Sequence, residues 1–367
     1  MKIILIGGHL APVLSVLEAL PKDVKVLFVG RKYAMEGDNA LSLEYETITS
    51  LNIPFVGLNT GRLQRKLTKY TLLSLLKIPF GVIKSFLILI RFRPDAVVGF
   101  GGYVSIPVIF CAFLLRIPVV IHEQTLGAGL ANRLVSRFAK KICISWDSSK
   151  GYFPKDKIVM TGNPIRKFSI LNTKFSLFKN NLPVIYITGG SLGSHTINVL
   201  VEGIISELLE KYNIIHQVGD TCEYRDFERL EELRTNLPEE LRDNYILKKF
   251  IDPSQIGDLL NLSSLVISRS GMNTVTELIY FGKPALLIPL PFSQNNEQLK
   301  NAEFLEKIGL GIVLPQSKVN QKKLLQTIEL MLRNRKKYKI NKKEFKGLSG
   351  KNAAQNIISV INNAYKA

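Results

Sequence analysis

Cysteine is scarce in this chain of 367 residues: only Cys111, Cys143 and Cys222 occur, each in or beside an apolar run. No Cys-x-x-Cys pair and no Cys/His set at metal-ligand spacing is present, which argues against a disulfide framework or a zinc site and fits a reducing compartment. A Walker lysine is missing as well, so nucleotide hydrolysis of the P-loop kind is not expected. Long apolar runs are also lacking. The longest, residues 71–90, is broken by Lys77, Pro79 and Lys84, whereas a spanning helix needs about 20 mainly apolar residues. The opening MKIILIGGH is too short, and too soon followed by Gly7, Gly8 and His9, to act as a secretion signal. It reads as a first strand. Low-complexity tracts and solenoid repeats are absent, and acidic residues are under-represented: 30 Asp+Glu against 49 Lys+Arg leave a formal charge of +19. Nucleic acid, anionic lipid headgroups and phosphorylated small molecules all suit such a balance, and charge alone does not choose among them.

A chain of this length exceeds one ordinary core, so two domains are expected. With 46% hydrophobic and 22% charged residues it is a folded globular protein. Short β-branched runs recur: KIILIGG, VKVLFVG, DAVVGFGG, IPVVIHE and KKICIS, then PVIYITGGS, NIIHQVG, SLVISRS and KPALLIPLP. Helical periodicity separates them, as at 13–20, 197–211 and 273–281. Strands apolar on both faces and alternating with helices predict an α/β protein with two doubly wound, Rossmann-like parallel sheets, whose facing strand ends would bound an interdomain cleft. The pattern restarts near residue 165, after which 163–181 reads as a linker. The expected division is 1–165, 166–345, and a helical tail, 346–367, packing back on the first domain.

Five motifs sit at strand ends. In ILIGGHLAP, Gly7 and Gly8 permit close backbone approach and His9 opens the next helix; a plain tight turn fits equally well. VVGFGGYVSIPV places Gly99, Gly101 and Gly102 in a second turn, with the Tyr103 and Ser105 hydroxyls on offer. VVIHEQTLGAGLANR gathers His122, Glu123 and Gln124, a set suited to sugar hydroxyls or to one another. ITGGSLGSHTIN puts Gly189, Gly190, Ser191 and Gly193 before a helix, where amide N–H groups and the helix dipole suit a diphosphate. In VISRSGMNTVTELIYFGKPALLIPLPFSQNNEQLKNA, Ser270 and Gly271 open a helix whose first turn, Met272, Asn273 and Thr274, presents further amides. Glu277 lies one turn on, placed to accept two ribose hydroxyls. Asn295, Asn296, Glu297 and Gln298 follow as partners for sugar hydroxyls.

Gly-Gly-His, GGYVSIP, HEQ with GLANR, GNPIR, GGSLGS, RSGMNTVTE and EQLKNA stand in the order and approximate spacing of the MurG family of N-acetylglucosaminyltransferases, which the chain resembles over nearly its whole length. The resemblance implies a GT-B architecture and inverting transfer of N-acetylglucosamine from UDP-N-acetylglucosamine to undecaprenyl-linked muramoyl-pentapeptide in peptidoglycan biosynthesis. It also implies no cofactor and a peripheral position on the cytoplasmic face of the cell membrane. Gly7, Gly8 and His9 match the family's first glycine loop, whose histidine is a base or acceptor-site residue. Arg166 matches an arginine near the nucleotide, Ser191 a diphosphate contact and Ile251 a backbone contact to uracil. Met272, Asn273, Thr274 and Glu277 match the segment holding diphosphate and ribose, and Gln298 a glutamine on the donor sugar. Two positions depart: Ile6 stands where the family has threonine in a longer glycine turn, and Thr125 where it has a donor-contacting asparagine.

No Asp-x-Asp motif is present, so metal-independent transfer is expected, with the loops at Ser191 and 270–274, and Arg166 or Arg269, holding the leaving group. His9 is the first candidate for general base, since an ordinary histidine titrates near about 6.5. Glu123 is the reserve. Residues 62–93 interleave leucines and phenylalanines with Arg65, Lys66, Lys69, Lys77, Lys84, Arg91 and Arg93, a pattern suited to an anionic membrane surface or to a buried helix with solvated lysines. Rival readings are transfer to another lipid such as diacylglycerol, a UDP-sugar epimerase, and a basic adaptor. Scattered lysines disfavour the last, and nucleic acid is not an expected partner.

Overall fold

Alternating apolar side chains along a strand reach opposite sides of its sheet, and the first strand shows the consequence. Ile4 and Ile6 enter one core and Ile3 and Leu5 another, on either side of the same sheet. The computed structural model describes residues 1–33, 40–61, 69–165, 177–219, 222–340 and 352–366. Arg65, Lys66 and Arg166 lie outside the described residues. The chain divides into two compact units, Met1–Lys167 with Gly350–Ala367, and Phe168–Ser349.

Unit 1 holds strands β1 (Lys2–Ile6), β2 (Lys25–Gly30), β3 (Phe55–Gly57), β4 (Ala96–Gly99), β5 (Val119–Glu123), β6 (Lys141–Ile144) and β7 (Ile158–Met160). They form one parallel sheet in the order β3-β2-β1-β4-β5-β6-β7. Its helices are α1 (Leu10–Ala19), α2 (Leu43–Ser50), α3 (Lys69–Phe92), α4 (Ser105–Leu114) and α5 (Leu130–Val135). One face of the sheet packs on α3 and α4 through Ile88, Leu89, Val108 and Ile109. The other packs on α1 and α2 through Val13, Val16 and Ile48. The apolar segment 71–90 lies within α3, with Pro79 inside the helix. Among the described residues no helix is long and apolar enough to cross a membrane.

Unit 2 holds β8 (Val184–Thr188), β9 (Asn213–Gln217), β10 (Tyr245–Lys248), β11 (Leu265–Ser268), β12 (Ala285–Leu287) and β13 (Gly311–Val313), in the order β10-β9-β8-β11-β12-β13. This is the 3-2-1-4-5-6 order of a dinucleotide-binding sheet, whose switch point falls between its first and fourth strands, here β8 and β11. The helices are α6 (His195–Glu202), α7 (Ile205–Leu209), α8 (Asp226–Thr235), α9 (Glu239–Arg242), α10 (Ile256–Leu262), α11 (Met272–Phe281), α12 (Glu297–Lys307) and α13 (Gln321–Arg333). The helical stretch expected over 197–211 is broken between α6 and α7 at Gly203 and Ile204, where Ile204 leaves helical geometry. Side-chain oxygens of Ser194 and Asn320 cap α6 and α13, and left-handed Gly282 ends α11.

The chain then returns to unit 1. Helix α14 (Ala353–Lys366) presents Ala353, Ile357, Val360, Ile361 and Ala364 at helical spacing and packs beside α1 against the sheet. Lys140 Nζ donates to the Ala364 carbonyl and Asn356 Nδ2 to the Thr161 carbonyl, at 3.0 and 3.2 Å.

Candidate active site

In unit 1 the parallel register sets Ile6 beside Val29 and Gly99, so the residues after β1 and β4 emerge at one sheet edge. Gly8 lies so close to the Phe100 and Gly101 carbonyls that a β-carbon has no room, and the His9 N–H donates to the Phe100 carbonyl at 3.2 Å. Gly101 and Gly102, at φ +86° and +74°, hold left-handed conformations open to glycine. His9 is the N-cap of α1 in extended geometry, and its side chain caps nothing. The imidazole instead lies beside Gly101: a β-carbon there would be 3.5 Å from His9 Cδ2 and 3.8 Å from Asn132 Nδ2. Burial lowers the pKa of His9 below the ordinary histidine range, and the nearby Glu123 charge opposes that shift.

Glu123 is buried with both carboxylate oxygens engaged. Oε1 accepts from the Thr125 N–H at 2.9 Å and the Thr125 hydroxyl at 2.7 Å; Oε2 accepts from the Gly129 N–H at 2.9 Å and from Asn132 Nδ2 at 3.0 Å. Four donors make this carboxylate the organiser of the 123–132 loop. The threonine standing at the family's asparagine position spends its hydroxyl on that carboxylate. His122 is buried beneath, its pKa pushed down to about 3 mainly by burial, with the Gly162 carbonyl opposing and His9 reinforcing. Ser145 Oγ donates to the Glu123 carbonyl at 2.9 Å, so it accepts from His122 Nε2 at 3.1 Å, which fixes the neutral tautomer. The amide oxygens of Gln124 and Asn132 are buried without a partner among the described residues. An unpaired buried acceptor costs about 1–3 kcal/mol, which a bound hydroxyl would recover. Ser105, expected to offer a hydroxyl, is fully buried and donates to the Gly102 carbonyl at 2.6 Å.

In unit 2, Thr188 lies beside Gln217 and Ser268, which brings the loops after β8, β9 and β11 to a common edge. The glycine loop turns through a Gly193 N–H to Gly190 carbonyl bond of 3.1 Å, with both glycines left-handed, and Ser191 is exposed at its tip. A β-carbon at Gly193 would fall on the Val218 carbonyl. From below, Gln217 Nε2 donates to the Gly190 carbonyl at 3.1 Å, while the Tyr186 hydroxyl donates to Gln217 Oε1 at 3.0 Å. Asn198 Nδ2 donates to the Val218 carbonyl and to Asp226, so its oxygen accepts from His216 Nε2 at 3.1 Å. His216 is in turn neutral, held down to about 3 by burial.

Helix α11 starts at the matching loop of β11. No side chain caps its first turn, which leaves the amides of Met272, Asn273 and Thr274 at the switch point beside the glycine loop. Glu277 lies one turn on and is half-buried. Ser270 Oγ donates to the Gln298 carbonyl at 2.7 Å and Asn301 Nδ2 to the Ser270 carbonyl at 3.0 Å, locking α12 to this loop. Gln298 Oε1 accepts from the Leu290 N–H at 3.0 Å, and Asn295 and Asn296 hold left-handed conformations just before α12. Arg269 donates to the Ile288 carbonyl, and burial lowers its pKa. Ile251 is buried in the loop after β10.

Unit 1 thus brings Gly7, Gly8, His9, Glu123 and Thr125 to one sheet edge. Unit 2 brings Ser191, Met272, Asn273, Thr274 and Glu277 to its switch point, with Gln298 and Ile251 on neighbouring loops. Arg166 lies outside the described residues. Motif reading missed Asn132 and Gln217. Asn132 was visible in GLANR, but Gln217 carries no local signal.

Residues 6–144 match the glycosyltransferase family 28 N-terminal domain and residues 184–357 the family's C-terminal domain. A Clostridium perfringens protein named UDP-N-acetylglucosamine--N-acetylmuramyl-(pentapeptide) pyrophosphoryl-undecaprenol N-acetylglucosamine transferase is 34% identical, over 98% of this chain and 97% of its own. A Legionella pneumophila protein of the same name is 32% identical over 97% and 93%. Among solved structures, MurG from Acinetobacter baumannii superposes with a TM-score of 0.72 at 26% identity, covering 99% of both chains. A UDP-GlcNAc 2-epimerase from Neisseria meningitidis, at 18% identity and a TM-score of 0.64, shares the fold. The resemblance read from the seven motifs is borne out by these relatives.

Proposed function

The chain belongs to glycosyltransferase family 28, and from that premise we propose that it transfers N-acetylglucosamine from UDP-N-acetylglucosamine to undecaprenyl-linked muramoyl-pentapeptide. The observation that carries the reading is in unit 2: a glycine loop and an uncapped helix start meet at the switch point of a 3-2-1-4-5-6 sheet, with Glu277 one turn beyond. Backbone amides and helix dipoles aimed there suit a diphosphate, and a carboxylate one turn deeper suits a ribose. In this reading Ile251 presents backbone to the uracil and Gln298 faces the donor sugar.

Transfer with inversion forms one bond and breaks one. The acceptor hydroxyl oxygen attacks the anomeric carbon, the bond to the diphosphate breaks, and UDP departs with the electron pair. The amides of the Ser191 loop and of 272–274 hold the developing charge, and His9 takes the hydroxyl proton. Its lowered pKa keeps the imidazole neutral and ready to accept at neutral pH. The nearby Glu123 charge favours the imidazolium that forms.

A lipid-borne acceptor calls for a membrane surface, which unit 1 offers. Along α3, Phe80, Ile83, Leu87 and Ile90 are exposed at helical spacing, Phe80 at 73%, and Phe113 and Leu114 of the adjoining α4 are exposed too. Lys77, Lys84, Arg91, Arg93 and Arg116 flank them; Lys84 also donates to the Gly57 carbonyl. An apolar stripe with such a cationic margin suits the anionic cytoplasmic face of the membrane, to which the protein binds peripherally.

The test is to incubate the protein with radiolabelled UDP-N-acetylglucosamine and lipid-linked muramoyl-pentapeptide, with and without chelator. Label in the lipid fraction that is insensitive to chelator is expected. An altered sugar nucleotide without labelled lipid would mean an epimerase, and absence of UDP binding would end the reading.

A further inference from the structure

Beneath the Gly7–Gly8 turn lies a carboxylate that the transfer mechanism does not use. Glu44 sits in the first turn of α2, where the helix N-terminus favours a negative charge. Ser42 caps that helix, accepting from the Tyr45 N–H at 3.1 Å and donating to the Arg31 carbonyl at 2.5 Å, which ties the helix start to the end of β2. Glu44 completes the clamp. Its carboxylate accepts from the Arg31 N–H at 3.0 Å and lies directly against the Gly7–Gly8 turn that leads into His9.

The glycines around it are explained by the same group. A β-carbon at Gly7 would fall on the Glu44 carboxylate, and one at Gly30 would crowd its other oxygen. The turn is therefore held on two sides: the Glu44 carboxylate backs Gly7, and the Phe100 carbonyl takes the His9 amide. Burial raises the Glu44 pKa, opposed by the Arg31 amide and charge and by the Gly8 amide. The carboxylate turns one acceptor oxygen to the Arg31 amide and the other to the Gly7–Gly8 turn, whereas a carboxamide of the same shape turns a donor to one of them.

We propose that Glu44 is a positioning residue for the transfer reaction, fixing the backbone of the Gly7–Gly8 turn so that the His9 imidazole stands where the acceptor hydroxyl proton leaves. The inference rests on the reading of His9 as the base. Glu44 touches neither substrate, and a displacement of the base by about 1 Å can cost on the order of a hundredfold in rate.

The test compares Glu44→Gln, Glu44→Ala and His9→Ala in full-length protein. Expected for Glu44→Gln, which keeps one acceptor, is a fall in kcat of about tenfold, and for Glu44→Ala about a hundredfold. The KM for UDP-N-acetylglucosamine should stay within about twofold, because the donor loops lie in unit 2. With only four histidines in the chain, ring resonances can be followed one by one, and the His9 signal should shift in Glu44→Gln while those of His195 and His216 stay put. A fold-wide defect would instead move all signals and lower the melting temperature without this selectivity. Wild-type kcat in both Glu44 variants alongside an inactive His9→Ala, or an unmoved His9 resonance, overturns the proposal. A fully active His9→Ala with a shifted His9 resonance in Glu44→Gln would refute the base assignment while leaving the structural clamp in place.

Discussion

Acidification should unfold unit 1 through His122. Its imidazole is buried and neutral with a pKa of about 3, whereas in the unfolded chain it titrates at about 6.5. A depressed native pKa gives stability that is whole above the unfolded value and is lost as pH falls towards the native one, because the unfolded state takes up the proton first. From pH 7.5 to 5.0 the loss is about 2 kcal/mol, growing to roughly 4 kcal/mol at pH 3. The sole tryptophan, Trp146, is buried in unit 1, with Nε1 donating to the Gln124 carbonyl at 2.8 Å, so its fluorescence reports this unit alone. Urea titrations at the two pH values should show the wild-type midpoint dropping by about 1 M for a slope of roughly 2 kcal/mol per molar. His122→Gln keeps a donor for the Gly162 carbonyl and does not titrate; it should be less stable at pH 7.5 but lose about 2 kcal/mol less on acidification. Equal losses in the two proteins would refute the reasoning.

Replacing His9 by alanine should lower kcat by about 10²- to 10⁴-fold with donor affinity unchanged. In the wild type, kcat/KM should fall on the acid side only below about 6.5, as pH passes through the lowered His9 pKa. Glu277→Ala should weaken UDP binding by roughly 10- to 100-fold in calorimetry, the worth of about 1.5–3 kcal/mol for hydrogen bonds to a charged group, with circular dichroism unaltered. Gly193→Ala puts a β-carbon on the Val218 carbonyl at a φ of +78°; a stability loss of about 2 kcal/mol or more, seen as a lower melting temperature, should accompany loss of UDP binding. An unchanged melting temperature would show that the loop relaxes freely.

The buried strands were the legible part of the fold. KIILI, VIYIT and LVIS are apolar on both faces, as strands at the centre of a doubly wound sheet must be. The edge strands β3, β7 and β13 span three residues each, too short for a pattern to stand out from the loops around them. Among site residues, glycines announced the turns, left-handed at 101, 102, 190 and 193, and the starts of α4 and α6 followed from them. Partnership was illegible. Glu123 reads as a free acid in the sequence, yet its four donors include a backbone amide six residues away. Ser105 reads as an available hydroxyl but closes its own turn. Glu44 reads as an ordinary acidic residue at a helix start, since its meeting with Gly8 depends on how β1 and β2 pair. The Glu44 contact comes from tertiary placement, which local spacing does not encode, and the local bonds of Glu123 and Ser105 depend on loop conformations that the residue types alone do not specify.

The return of α14 to the first sheet has a consequence for biosynthesis. Until residues 353–366 leave the ribosome, the apolar side of α1 and its neighbouring strands lacks its cover, although every strand of that sheet has long since been made. At about 5–20 residues per second the gap lasts on the order of ten to forty seconds, a window in which a nascent chain needs a chaperone's shelter. Trimming the C-terminal end would accordingly injure the half of the molecule translated first and spare the half translated later.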